Sequence, residues 1–247
     1  MPGRRQLLGQ HMLVDRRVVE KIVRAADIAG DEVVLEVGTG LGTLTSELCQ
    51  RARRVISYEL DPALYQKSKE HLKFENLHLV MGDAFDIENL AFDVFVSNLP
   101  YSRSRDAIEW LATRKLSRAI VMVQREFAEK IQAAPGDRNY RAISALANHC
   151  FRIEQITAVG RGSFSPRPKV DSVVMKLVPA QRRAVSFAVV KRLNWLFSRR
   201  NKKASSVAAK IGLVDLDLGD RRIYQLPPST LVEFAEKIEH GQHIQTV

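Results

Sequence analysis

Val33-Val34-Leu35-Glu36-Val37-Gly38-Thr39-Gly40-Leu41-Gly42-Thr43 is the stretch that decides how this chain folds. A short apolar run ends in glycines at alternate positions. Such a run is the signature of a strand buried on both faces. Glycines there permit a sharp turn and let backbone N–H groups approach a ligand at the start of the next helix. From Thr43 to Arg51 the pattern is helical. A lone glycine-rich turn means little, but strand, turn and helix in this order give it the context that a nucleotide-binding loop needs.

The same alternation runs outward from this unit. Val18 to Ala26 reads as a helix with Val18, Ile22 and Ala25/Ala26 on one face. Arg54–Glu59 is a second strand, followed by a helix that starts at Pro62, a favoured first helical residue. Leu77–Met81, Phe92–Ser97 and Ala119–Val123 are further strands, with helices over Arg105–Thr113, Arg125–Gln132 and Tyr140–His149. Strands alternating with helices of this length predict an α/β fold with a mostly parallel, doubly wound sheet. Ile153–Val159 and Ser172–Leu177 are also β-like, but no helical pattern lies between them. That break predicts an antiparallel pair at the sheet edge.

Glu59 follows Gly38 by 21 positions and closes the second strand. An acid there can accept both hydroxyls of an adenosine ribose, although an exposed strand-end charge is the plainer reading. Gly82-Asp83-Ala84-Phe85 places a second acid just past the third strand. Asp83 is placed to accept a hydrogen bond from an adenine amino group, or simply to cap the next turn. A dinucleotide fingerprint would read GxGxxG, whereas Gly38, Gly40 and Gly42 make GxGxG. The set favours S-adenosylmethionine over a nicotinamide dinucleotide.

Composition sets the outer limits. The chain has 247 residues, 45% hydrophobic and 27% charged, which excludes disorder and low-complexity architectures. With 38 Lys+Arg against 28 Asp+Glu the formal net charge is +10, a balance suited to a polyanionic partner. Cys49 and Cys150 stand far apart, so a disulfide framework is excluded and a reducing cytoplasm is expected. The histidines form no HExxH pattern and no cysteine pair has metal spacing, so no metal is expected. The first residues lack the pattern of a secretory signal. No apolar run approaches the roughly 18 residues that cross a membrane.

Charge is unevenly spread. Residues 181–247 carry 12 basic and 6 acidic side chains, and the stretch from Arg182 to Lys210 has no acid at all. Phe187, Val190, Leu193 and Phe197 recur there at helical spacing. We therefore divide the chain into a sheet domain, residues 1–178, and a small basic helical domain, residues 179–247. Arg182, Arg183, Lys191, Arg192, Arg199, Arg200, Lys202 and Lys203 are the candidate phosphate contacts, with a solvated helix surface as the alternative reading. Such contacts position RNA without reading its sequence.

The fourth strand ends in Ser97-Asn98-Leu99-Pro100-Tyr101. After the glycine turn, the tetrapeptide Asn98-Leu99-Pro100-Tyr101 resembles that of S-adenosylmethionine enzymes that methylate planar nitrogens. The resemblance implies an exocyclic adenine amine as the target, a poor nucleophile because its lone pair is delocalised into the ring. Acceptors at Asn98 Oδ1 and the Leu99 carbonyl would push the nitrogen toward tetrahedral geometry. Pro100 fixes the backbone, and Tyr101 offers a ring for the base to stack on. Catalysis would then be mostly positioning, on a base unstacked or flipped out of its helix. Phe164 is a candidate for the opposite face of the base, or else a core phenylalanine.

With Gly9-Gln10-His11-Met12-Leu13, Gly82-Asp83-Ala84, Gln124-Arg125-Glu126-Phe127-Ala128 and Phe164-Ser165-Pro166-Arg167-Pro168-Lys169-Val170-Asp171-Ser172, the NLPY tetrapeptide resembles the KsgA-type dimethyladenosine transferases of small-subunit rRNA, in an archaeal-like form. The resemblance covers nearly the whole chain. It implies a Rossmann-like class I S-adenosylmethionine-dependent methyltransferase that dimethylates the 6-amino groups of two adjacent adenosines near the 3′ end of small-subunit rRNA. It implies that His11, Leu13, Gly38, Glu59, Asp83 and Asn98 contact the cofactor, with Gln10, Gly40, Gly42 and Ala84 beside them in the same motifs. An assembling 30S particle is the implied partner, and a monomer the default state. Where the family continues with a polar, Ser-rich stretch, this chain has Ser102-Arg103-Ser104-Arg105-Asp106, so Arg103 and Arg105 join the candidate RNA contacts. Two rivals stand beside this reading: a large-subunit rRNA adenine methyltransferase, and a ribosome-assembly factor that has the fold without turnover.

Overall fold

The computed structural model describes residues 11–180, 184–213 and 216–238; Gln10, Arg182 and Arg183 lie outside them. In chain order the elements are β1 (Met12–Leu13), α1 (Arg16–Ala26), β2 (Val33–Val37), α2 (Thr43–Cys49), β3 (Arg54–Glu59) and α3 (Pro62–His71). They continue with β4 (Leu77–Met81), β5 (Val94–Asn98), α4 (Ser104–Leu111), β6 (Arg118–Gln124), α5 (Arg125–Ile131) and α6 (Ala142–Cys150). Then come β7 (Phe151–Val159), β8 (Phe164–Ser165), β9 (Ser172–Pro179), α7 (Phe187–Ser198), α8 (Ala204–Lys210) and α9 (Pro228–Lys237).

The main sheet has seven strands in the order β4-β3-β2-β5-β6-β9-β7. The five strands from β4 to β6 pair in parallel. β9 runs antiparallel to β6, with Ala119 opposite Leu177 and Gln124 opposite Ser172. The sequence predicted an antiparallel pair at the edge. These two strands, β9 and β7, are indeed neighbours at one end of the sheet, with β9 on the inner side against β6 and β7 outermost. β9 is buried over most of its length, so its apolar residues gain more inside the sheet than at its margin.

Strand order reverses between β2 and β5. β2 leads by a helix to β3 on one side, while β5 lies on its other side. A crevice opens beyond the carboxyl ends of strands at such a switch point. Gly38 and Asn98 stand at those two carboxyl ends. The register places Asn98, the last residue of β5, opposite Met122. The sequence reading ended this strand one residue earlier, at Ser97.

Alternate residues on the central strands are buried on both faces, as helices covering both sides require. Val18, Val19, Ile22, Val23 and Ala26 of α1 join Leu44 and Leu48 of α2 and strand residues such as Val34, Val94 and Ile120 in one apolar cluster. Asp15 caps α1 by accepting from the Arg17 N–H, and Asp61 caps α3 by accepting from the Ala63 and Leu64 N–H groups. Among the described residues no helix is long and apolar enough to cross a membrane.

The chain forms two compact units, and they do not divide at one point. The first takes the described residues through Ala107, then Lys115–Ala128 and Ile153–Pro179; the second takes Ile108–Arg114, Glu129–Arg152 and the described residues from Ala180 onward. A boundary at 178/179 therefore captures only the last segment of the second unit. In that unit α6, α7 and α9 pack on one another. Tyr140 is fully buried, donates its hydroxyl to the Leu226 carbonyl at 3.2 Å and meets the Phe197 ring edge-on at 5.6 Å.

The basic residues of this unit are partly occupied within it. Arg192 is 7% exposed and donates to the carbonyls of Ala235 and Glu236 at 3.2 and 3.5 Å. It therefore caps the end of α9 and does not face a phosphate, which corrects its place among the RNA contacts. Arg199 stacks on Trp195 at 4.1 Å and Arg200 on Tyr224 at 5.2 Å. Lys203 pairs with Asp220 at 2.6 Å. Lys191 and Lys202 are exposed. Replacing Arg192 by Met is expected to lower stability by about 2 kcal/mol in urea unfolding, because buried carbonyls lose their donors. The salt dependence of RNA binding is expected to stay unchanged.

Candidate active site

Glycine is required in the turn after β2. Gly38, Gly40 and Gly42 all have positive φ, at 88°, 59° and 81°. At Gly42 an added Cβ would lie 2.7 Å from Leu72 Cδ2, so this glycine serves close packing against the segment after α3. At Gly40 the nearest atom would be Met12 Sδ, at 3.1 Å. At Gly38 it would be the Asn98 carbonyl oxygen, at 3.8 Å, so the glycine turn backs directly onto the NLPY segment.

Glu59 holds this turn from below. Its Oε2 accepts from the Gly40 N–H at 2.8 Å and its Oε1 from the Asp61 N–H at 2.9 Å. The residue is 4% exposed. A carboxylate has about four acceptor positions, so two bonds to the backbone leave capacity for a ligand.

One concavity is lined by His11, Leu13, Gly38, Gly40, Glu59, Asn98, Leu99, Pro100 and Tyr101, among others. Asn98 Nδ2 donates to the His11 carbonyl at 3.2 Å. That bond assigns the amide orientation and turns Oδ1 the other way. His11 Nδ1 is 2.9 Å from the Pro166 carbonyl, and its ring lies 5.5 Å from that of Tyr101. The Tyr101 hydroxyl is 2.7 Å from Ser172 Oγ, and burial pushes its pKa up. The short ladder of β1 and β8 pairs Met12 with Ser165 and Leu13 with Phe164. It joins two of the quoted motifs across about 150 residues of chain, and a ladder of this length leaves no periodic signal for sequence reasoning to find.

A second concavity adjoins the first through Gly38, Glu59 and Pro100. Leu60, Pro62, Asp83, Phe85, Ser102 and Arg103 are among the other residues of its wall. Asp83 Oδ1 accepts from the Phe85 N–H at 3.0 Å, as a cap to the following turn. Its Oδ2 lies 2.6 Å from Arg103. Arg103 thus points into the site, whereas Arg105 is exposed. Leu60 is 63% exposed at the end of β3, an apolar wall that the residue-by-residue reading passed over.

Two candidate residues lie elsewhere. Phe164 is 4% exposed, belongs to the apolar cluster under α1 and lines neither concavity. The core alternative is thus its position here, and a role against a base would require it to move. Ala84 is fully buried in the turn that Asp83 caps. Both cysteines are free and buried, their pKa values pushed up to about 12 by burial. Among the described residues no group of three or more His, Cys, Asp and Glu side chains is placed to hold a metal ion.

Beneath the glycine turn lies Glu36, 1% exposed. Its Oε2 accepts from Thr45 Oγ1 at 2.7 Å and from Ser57 Oγ at 2.5 Å, while Oε1 is buried without a partner among the described residues. Burial raises its pKa from 4.5 to about 7, with a smaller contribution from the Glu59 charge.

Residues 3–212 match the family model described as ribosomal RNA adenine dimethylase. The chain belongs to that family. A Pyrococcus abyssi protein named "Probable ribosomal RNA small subunit methyltransferase A" is 34% identical over 249 residues, 94% of this chain and 91% of its own. A Methanothermobacter thermautotrophicus protein of the same name is 33% identical over 249 residues, 95% of this chain and 91% of its own. The crystal structure of a dimethyladenosine transferase from Plasmodium falciparum superposes with a TM-score of 0.77 at 27% identity, over 92% of this chain and 98% of that one. That of the 23S rRNA methyltransferase ErmE gives 0.65 at 26%, over 92% and 99%. The resemblance read from NLPY and its companion segments is thereby borne out, as is the class I methyltransferase fold.

Folded Glu36 keeps its proton to a higher pH than the unfolded chain does. Its contribution to stability is therefore full below about pH 4.5 and is lost as pH rises through about 7. Glu36→Gln mimics the protonated form. Relative to that variant, the wild-type protein is expected to lose about 3 kcal/mol of unfolding free energy between pH 4.5 and 8. Parallel denaturation curves at several pH values check this.

Proposed function

We propose that this enzyme transfers methyl groups from S-adenosylmethionine to the 6-amino groups of two adjacent adenosines near the 3′ end of small-subunit rRNA, in the cytoplasm, on an assembling 30S particle. The observation that carries the reading is the anchored Asn98 amide at the end of β5, 3.2 Å from the His11 carbonyl and beside the glycine turn. The names of the archaeal relatives favour the small subunit. The higher TM-score of the dimethyladenosine transferase over the 23S enzyme points the same way.

The two adjoining concavities suit this cofactor. The glycine turn presents backbone where side chains would crowd a ligand, Glu59 offers ribose acceptors, and Asp83 with Leu60 and Phe85 frames a flat base. When bound, S-adenosylmethionine supplies a sulfonium methyl carbon open to attack. Asn98 Oδ1 and the Leu99 carbonyl accept the two N–H bonds of the target amine. Held there, the amine would have its lone pair directed at the methyl carbon that the cofactor would supply, and would release its surplus proton to water. Tyr101, held by Ser172, offers its ring to the extruded base. The residues thus position and polarise, and no strong base is required. RNA is held by charge on residues such as Lys191 and Lys202 and on the rim at Arg105.

Immature small subunits, isotope-labelled S-adenosylmethionine and nucleoside mass spectrometry test the proposal. Dimethyladenosine in small-subunit rRNA is expected, and label found only in large-subunit RNA would overturn it. Asn98→Ala is expected to cut methyl transfer by about a hundredfold or more while leaving subunit binding intact. Equal loss of binding would remove the role given to Asn98.

A further inference from the structure

Arg103 occupies an unexpected place. By charge it belongs on an RNA-facing rim. In the structure its guanidinium is 2.6 Å from Asp83 Oδ2 and 3.2 Å from Asp106 Oδ2, with its carbon 5.1 Å from the centre of the Phe85 ring. It lines the same concavity as Asp83, Leu60 and Pro100. Two carboxylates and one aromatic face thus fix a planar cation in the wall of this cavity.

We infer that Arg103 is a cofactor-positioning residue that forms one wall of the adenine subsite and orients Asp83 toward the adenine amino group. The inference rests on the cofactor reading above. Three features support it. Only a guanidinium is both planar and forked, so Arg103 can pair with Asp83 edge-on and still offer a face to a heteroaromatic ring. Asp83 is held on both oxygens, by the Phe85 N–H and by Arg103, so its rotamer is set before any ligand arrives. Asp106, one turn along at the start of α4, ties the guanidinium from the other side. The Ser102-Arg103-Ser104-Arg105 departure therefore splits in function. Arg105 stays on the exposed rim, while Arg103 serves the cofactor.

The consequence is chemical selectivity. A base pocket whose acceptor is pre-set discriminates strongly against a ligand that lacks the matching donor. The wild-type protein should prefer S-adenosylhomocysteine over its 6-oxo counterpart, S-inosylhomocysteine, and part of that preference should come from Arg103.

The test uses the full chain and measures dissociation constants for both nucleosides by calorimetry, with RNA affinity measured across a salt series. Arg103→Ala is expected to weaken S-adenosylhomocysteine binding about tenfold and to narrow the amino-over-oxo preference. The slope of RNA affinity against salt should not change. Arg103→Lys keeps a cation beside Asp83 without the planar face, so it should restore the preference but not the full affinity. Thermal unfolding of the unliganded variants separates these effects from loss of fold. If Arg103→Ala binds S-adenosylhomocysteine as the wild type does, the assignment falls. It also falls if the only change is a salt slope shallower by about one, the mark of a lost phosphate contact. A wild-type protein that binds neither nucleoside would bring down the cofactor reading and this inference together.

Discussion

The carboxylate of Glu59 is the constraint on which the site depends. It joins the end of β3 to the glycine turn after β2 and to the first residues leading into α3, through two bonds to backbone N–H groups. Each is a charge-assisted bond in a nearly buried setting, where such bonds are at their strongest. The Gly38 and Thr39 N–H groups also donate to the Tyr58 carbonyl, and the Gly40 carbonyl accepts from Ser68 Oγ, so the turn is tied to β3 and α3 along its length. Glu59 adds its two bonds to these and still faces both concavities. One side chain thus shapes the loop and keeps acceptor capacity free beside it.

A second layer lies behind it. Thr39, Ser57, Thr45 and Glu36 form a chain of short hydrogen bonds between the turn, β3 and α2. Buried polar chains of this kind favour one arrangement over its neighbours, at a cost in desolvation. Glu36 bears most of that cost, with one oxygen unpartnered and its proton held well above the usual carboxylate range. Precision in the turn is obtained at the expense of some stability around neutral pH.

Much of this was legible in the residues. The parallel part of the sheet, the switch point and the glycine turn follow from runs of apolar residues punctuated by glycine and from the helices between them. Gly38, Glu59, Asp83 and Asn98 were legible as a set because each stands at the carboxyl end of a strand, where the fold gathers them. What was not legible had physical reasons. β9 enters the sheet interior because its residues are apolar on both faces, which its sequence shows, but the order of strands is a tertiary choice. Arg192 and Arg103 show a limit of reading charge from sequence. Charge counts cannot tell a solvated guanidinium from one spent on helix carbonyls or on a neighbouring acid. Phe164 shows the converse, since its motif marks a functional segment while its own ring lies in the core.

The ladder between Met12–Leu13 and Phe164–Ser165 is only two residues long, yet it governs when the site can exist. His11, whose carbonyl holds the Asn98 amide, is itself held by the Pro166 carbonyl. Contacts that span so much chain form late, because closing a long loop must precede their reward. A nascent chain that has completed the glycine turn and the first five strands of the main sheet therefore still lacks the wall that fixes its key amide. The concavity beside Asp83 draws its whole lining from residues 37–103, whereas the one at Asn98 also needs His11, Met12 and Leu13, which the ladder holds in place.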